Sequence, residues 1–255
     1  MKFSVRVRRW IRFVVIALLT LSVACQSYAN QSDANQSDAK NTADPTTQLS
    51  SRPQLKSSVR PRLNQVAASA QAAKAQLVDI RSVNPGIRLD LRYATANNFM
   101  HRPLYKEARC LLRAIAAKQL SQVQTDLEAI GLGLKVYDCY RPLSVQKQMW
   151  KLLPDDRYVA NPANGSRHNR GSAVDLTLVD RTGKELTMPT DFDDFTDRAA
   201  INYDGASTEA KHNRQQLKEA MTKRGFVPLL TEWWHFDAAS WAQFPVLDVP
   251  LEAVL

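Results

Sequence analysis

The segment Ser166 to Leu178, "SRHNRGSAVDLTL", constrains this 255-residue chain more than any other. Val174, Leu176 and Leu178 alternate with Ala173, Asp175 and Thr177, the pattern of a strand with one apolar face. Asp175 then points away from the core, toward a cleft. His168 precedes the strand on a loop containing Gly171, which lets the chain fold back so that both side chains reach one point. A second segment, "EWWHF" at Glu232 to Phe236, offers another imidazole and a spare carboxylate. Strict alternation would put Glu232 and His235 on opposite faces. The expectation is therefore a Glu232 at a bend or loop end, just before a strand that holds His235. Two imidazoles, a ligating carboxylate and a second carboxylate are the donor set of a hydrolytic zinc site, with a position for water and a general base beside it. A His or Asp on a strand is more often structural, and spacing alone leaves both readings open.

Two further segments accompany these in order: "DLRYATANNF" at Asp90 to Phe99 and "YDCYRP" at Tyr137 to Pro142. Together the four resemble the zinc D-alanyl-D-alanine dipeptidases, the VanX-like family of M15 peptidases, from about Val78 to Phe244. The resemblance implies one Zn²⁺ per chain on His168, Asp175 and His235, with Glu232 as general base. It implies that Arg141, the Arg of the D-x-YRP motif, stabilises the oxyanion and that Asp138 orients it. Asp193 in "MPTDFDDFTDRA" corresponds to a carboxylate that meets the substrate ammonium, and Ser166 to a substrate-binding serine. Tyr93 falls at the rim of the site, where a substrate contact and a merely packed aromatic are both open. The implied fold is α+β, a small antiparallel sheet flanked by helices, as in the D-Ala-D-Ala peptidases and the hedgehog signalling domain.

The activity implied is hydrolysis of the D-alanyl-D-alanine dipeptide, in wall-peptide recycling or in lowering glycopeptide susceptibility. A free dipeptide carries a charge at each end, so a small closed pocket must satisfy both. A D,D-carboxypeptidase or endopeptidase acting on stem peptides shares the metal chemistry and needs an open cleft instead. A zinc-containing binding or signalling domain without catalysis is the third reading; the presence of Glu232 and Arg141 argues against it.

Three regions divide the chain: a signal peptide (1–29), a disordered low-complexity linker (30–76) and the zinc dipeptidase domain (77–255). The net charge of +9 misleads, because the first 29 residues hold five basic residues and no acid; the rest carries 29 basic against 25 acidic groups. That balance asks for no nucleic-acid partner. The apolar run Phe13 to Ala24 follows a basic stretch, is too short for a confident span, and precedes a small-x-small "SYA" cleavage site. Export to the periplasm follows, with no stable membrane span after processing. A lipoprotein anchored at Cys25 is the competing reading. From Asn30 the repeated "NQSDA" and the Thr, Ser, Pro and Gln up to about Arg62 cannot bury enough apolar surface to fold. Gln65 to Gln76 is rich enough in Ala and Gln to form a helix.

Within the domain, "LVDI" and "IRLDLRYA" read as strands around the turn Asn84 to Gly86. Apolar residues at three- and four-residue steps predict a helix over Lys106 to Ile130, stopped by "GLG". "LKVYDCY" then reads as a strand, with helices expected from about Ser144 and over Glu209 to Arg224. In an exported protein, Cys110 and Cys139 are more often paired than free, so a disulfide is expected. His101 and His212 belong to no motif and read as surface residues.

Overall fold

The structure, a computed structural model, describes residues 75–254 together with Gln65 and residues 68–72. The expected signal peptide, Cys25 and most of the expected linker lie outside the described residues. The described positions between 65 and 75 are helical, as the Ala/Gln composition suggests. Among the described residues no helix is long and apolar enough to cross a membrane.

The chain runs through β1 (Leu77–Asp79), α1 (Ile80–Val83), β2 (Arg88–Leu89), β3 (Leu111–Arg113), α2 (Ala114–Glu128), β4 (Leu132–Asp138) and α3 (Leu143–Leu152). It continues through β5 (Ala173–Asp180), α4 (Thr208–Lys223), β6 (Phe226–Pro228) and β7 (His235–Ala238). Five strands form the main sheet in the order β2-β4-β5-β7-β6, and β1 pairs with β3 as a separate antiparallel ribbon. The main sheet is antiparallel except for its short β2–β4 pair, which is parallel. This is the α+β class.

The alternation in β5 does what it promises. Val174, Leu176 and Leu178 join Leu134 and Val136 of β4 and Phe236 of β7 on one face. The long helices α2 and α4 lay Leu120, Val123, Leu127, Leu217 and Met221 against that face. Each such fully buried aliphatic side chain contributes about 1.5–3 kcal/mol. Ser207 caps α4, its hydroxyl accepting from the Ala210 amide at 3.1 Å. The other face is left for polar groups.

Two boundaries differ from the sequence expectation. The helix expected from Lys106 begins only at Ala114, because Leu111–Arg113 are taken up as strand by β1. Leu111 and Leu112 consequently face two different cores, which helical spacing would not allow. Upstream, Asp79 caps α1 by accepting from the Arg81 amide, so "LVDI" ends as strand one residue early. Of "IRLDLRYA" only Arg88–Leu89 is strand; Arg92–Ala94 is a 3-10 turn. Cys110 and Cys139 are disulfide-bonded, joining the approach to β3 to the end of β4.

Candidate active site

Three strands aim their polar residues at one point. In the β5–β7 pair Asp175 lies opposite His235, so both project from the face away from the helices. On the other side, β4 slips by one residue between Val136 and Asp138, which brings Asp138 opposite Asp175. Without that bulge Tyr137 would occupy the position and Asp138 would face the core. Glu232 sits in the turn before β7, with its carbonyl accepting from the His235 amide, and His235 opens the strand. The conflict with strict alternation is resolved as the sequence suggested.

His168 arrives from a 3-10 turn, His168–Arg170, closed by Gly171 at φ 67°. Gly171 is confined on a second count, since a Cβ there would come within 2.5 Å of Leu77. The His168 Nδ1–H donates to the Cys139 carbonyl at 2.6 Å, which turns Nε2 toward Asp175 (3.3 Å) and His235 Nδ1 (3.2 Å). His235 Nδ1 lies 3.0 Å from Asp175 Oδ1. The candidate ligand atoms of His168, Asp175 and His235 all fall within 4.8 Å of one another, and all three side chains are buried. Two imidazole nitrogens and one carboxylate oxygen, each turned inward, are the donors a zinc ion takes, and the arrangement fits one.

Glu232 is buried beside this cluster and outside it, its Oε2 3.9 Å from His235 Nδ1. Burial pushes its carboxyl up to about 7, with the charges of His235 and Arg141 opposing and that of Asp175 adding. A carboxyl poised there exchanges protons near neutrality. Burial acts on Asp175 too, but the neighbouring His168 and His235 hold it well below the usual carboxylate range.

Arg141 is buried under the cluster. Its Nε and Nη2 both donate to Asp138 Oδ2, at 3.0 and 2.7 Å, and its Nη1 donates to Gln146 Oε1 at 2.8 Å. Nη2 remains 4.0 Å from Asp175, facing the site. Asp138 keeps its other oxygen for the Tyr105 hydroxyl at 2.7 Å. Asp138 therefore holds the Arg141 guanidinium through two hydrogen bonds. Gln146, Tyr105 and Asn169 complete this support. The Asn169 side chain donates to the Arg141 carbonyl, and its backbone amide donates to Ser166 Oγ.

The cluster lines a cavity of about 280 Å³, at the lower end of the range for small-molecule sites. Asp193, Ser166 and Tyr93 line it as well. The Tyr93 hydroxyl donates to Asp193, 3.0 Å from Oδ2, while its ring packs edge-on against Tyr105 and Phe192. Tyr93 thus lines the cavity with its hydroxyl engaged and its ring packed. Asp193 is held at φ 61°, an unusual conformation for a residue with a side chain. Burial first, then the charges of Asp175 and Glu232, raise its carboxyl well above the ordinary value. His101 and His212 are exposed and are not among the residues that line the cavity.

Asp237 was not marked by any motif. It follows His235 by two residues, and its Oδ1 lies 2.9 Å from His235 Nε2. Period-two alternation along β7 is the signal that finds it.

Comparison with known proteins identifies the family. Residues 73–248 match the family model Peptidase_M15, described as D-ala-D-ala dipeptidase. The D-alanyl-D-alanine dipeptidase of Escherichia coli K12 is 38% identical over 172 residues, covering 68% of this chain and 89% of that protein. A D-alanyl-D-alanine dipeptidase of Enterococcus faecalis V583 is 32% identical, covering 59% and 85%. Among solved structures, the vancomycin-resistance D,D-dipeptidase VanXYg with a D-Ala-D-Ala phosphinate analogue superposes loosely. Its TM-score is 0.35 at 23% identity, over 52% of this chain and 53% of that one.

Proposed function

Since the chain belongs to the D-Ala-D-Ala dipeptidase family of M15 peptidases, we propose that it is a zinc enzyme hydrolysing free D-alanyl-D-alanine to two D-alanines. The observation that carries this reading is the convergence of His168, Asp175, His235, Glu232, Arg141 and Asp193 on one small cavity. His168 Nε2, His235 Nδ1 and an Asp175 oxygen would hold the ion. When bound there, zinc supplies Lewis acidity, polarising the scissile carbonyl and lowering the pKa of water at the site.

The chain's own groups do the rest. Glu232 Oε2 takes the proton of the attacking water and delivers it to the leaving amine. The Arg141 guanidinium, fixed by Asp138 and Gln146, stabilises the oxyanion as it develops. Asp193 receives the substrate ammonium, which relieves a carboxyl crowded by other negative charges. Ser166 serves the opposite end of the dipeptide. A small cavity with a carboxylate for the ammonium suits a free dipeptide better than a polymer strand.

We further propose an envelope location, on the strength of the basic and apolar residues 1–29 and of a disulfide, which belongs to an oxidising compartment. Turnover or salvage of wall peptides, or reduced glycopeptide susceptibility, follows from that place and substrate.

The test is release of D-alanine from D-Ala-D-Ala by the purified zinc-loaded protein, with L-Ala-L-Ala and an N-acylated D-Ala-D-Ala peptide in parallel. Cleavage of the free D,D-dipeptide alone, with zinc close to one per chain by metal analysis, supports the proposal. Preference for the acylated peptide makes the enzyme a carboxypeptidase. No turnover by zinc-containing protein would make a binding role the better account.

A further inference from the structure

Asp237 has no use in the reaction as described, yet its surroundings are built with care. It is buried at 8% exposure on the polar face of the sheet, the face that carries His235 and Asp175. The residue opposite it on β5 is Ala173, whose small side chain leaves the Asp237 carboxylate room to lie back along the strand. Its Oδ1 accepts from His235 Nε2 at 2.9 Å, and its Oδ2 faces Arg167 Nε at 3.5 Å. The Arg167 guanidinium is in turn stacked 4.7 Å over the Trp241 ring. The carboxylate is thus held at both oxygens.

The two imidazoles are turned in opposite senses. His168 shows the cluster its Nε2 and gives its Nδ1 proton to a neutral acceptor, the Cys139 carbonyl. His235 shows Nδ1 and gives its Nε2 proton to a carboxylate. A carboxylate behind a ligating histidine fixes its orientation and makes it a stronger donor than a carbonyl does.

We propose that Asp237 is a positioning residue for the metal centre: by accepting the His235 Nε2–H hydrogen bond it fixes the ring with Nδ1 toward the ion and tightens metal binding. This rests on the metal reading given above. Asp237 is not among the residues that line the cavity, so its effect is on how firmly the ion is held.

The experiment compares the wild-type chain with Asp237→Ala, Asp237→Asn and the control Thr177→Val. Thr177 is buried on the same face of β5, and its hydroxyl makes no hydrogen bond. Zinc dissociation constants come from competition with a chromophoric chelator. The His235 Nε2–H proton is followed by NMR on ¹⁵N-histidine-labelled, zinc-loaded protein. Asp237→Ala is expected to weaken zinc binding by about 10–100-fold and to lose the slowly exchanging Nε2–H signal. Asp237→Asn, whose amide oxygen still accepts but carries no charge, is expected to keep the signal and fall between. Thr177→Val should bind zinc as the wild type does. Affinity of the alanine variant within about 3-fold of wild type, with the Nε2–H signal intact, would overturn the proposal. Should the alanine variant fail to fold, unchanged affinity in Asp237→Asn overturns the charge argument by itself. Failure of the wild type to bind zinc would be a different result, removing the metal reading and this proposal with it.

Discussion

Reduction of the Cys110–Cys139 disulfide offers a magnitude that can be worked out beforehand. The bridge joins residues 29 apart in sequence, at the approach to β3 and just past β4. Restricting the unfolded chain by a loop of that length amounts to about 12 cal/mol/K, or about 3.6 kcal/mol near room temperature. For a domain of about 180 residues the unfolding entropy is about 0.4 kcal/mol/K, so loss of the bridge should lower Tm by about 9 °C. The assay is thermal unfolding by circular dichroism, with and without a non-thiol reductant that leaves the metal alone. A Cys110→Ala/Cys139→Ala variant follows the same protocol. Reductant should bring the wild type close to the variant and leave the variant unmoved. Catalysis at room temperature should survive, since the Tyr140 amide still ties the end of β4 to the Leu111 carbonyl at 3.0 Å. A wild-type Tm that shifts by less than about 2 °C on complete reduction would refute the loop-closure reasoning.

Other outcomes follow from the same geometry. Glu232→Gln should lower kcat/KM by about 10²–10⁴-fold while metal content, measured by atomic emission, stays at the wild-type level. Loss of zinc in that variant would instead put Glu232 on the ion. Arg141→Lys keeps a positive charge but not the paired donation to Asp138, and kcat should fall by about 10²–10³-fold in steady-state assays. On the far side of the molecule, Asp126 joins α2 to Lys223 and Arg224, whose hydrogen bonds lower its carboxyl to about 2. Its folded value lies below the unfolded one, so its stabilisation is present above pH ~4 and disappears as pH falls through about 2. Asp126→Asn should therefore melt earlier than wild type near neutrality, with the gap closing in acid titrations of Tm.

Much of the site was legible because it rests on local pattern. Alternation in β5 assigns Asp175 to the polar face, and the parity conflict in "EWWHF" correctly demands a turn before His235. The helix start at Ala114 was not legible, since Leu111 and Leu112 satisfy helical spacing while β1 supplies a partner that only the fold reveals. Gln146 and Asn169 carry no local mark either. Each matters because a backbone or side chain remote from it in the motif comes within hydrogen-bonding reach. Asp237 lies between these cases: the period of the strand locates it, but no motif says that a histidine needs it.

The single slipped residue in β4 reaches beyond the geometry of one pair. Upstream of it the strand is a packing element whose inward side chains are interchangeable aliphatics; downstream it delivers Asp138 and, three residues on, Arg141. Pairing β4 without the slip, with Tyr137 kept, would invert its sidedness beyond Val136, sending the Asp138 carboxylate into the hydrocarbon interior. In this chain the slip and the residue it absorbs therefore belong together: without Tyr137 the ladder would run regularly from Val136 to Asp138, with Asp138 still opposite Asp175.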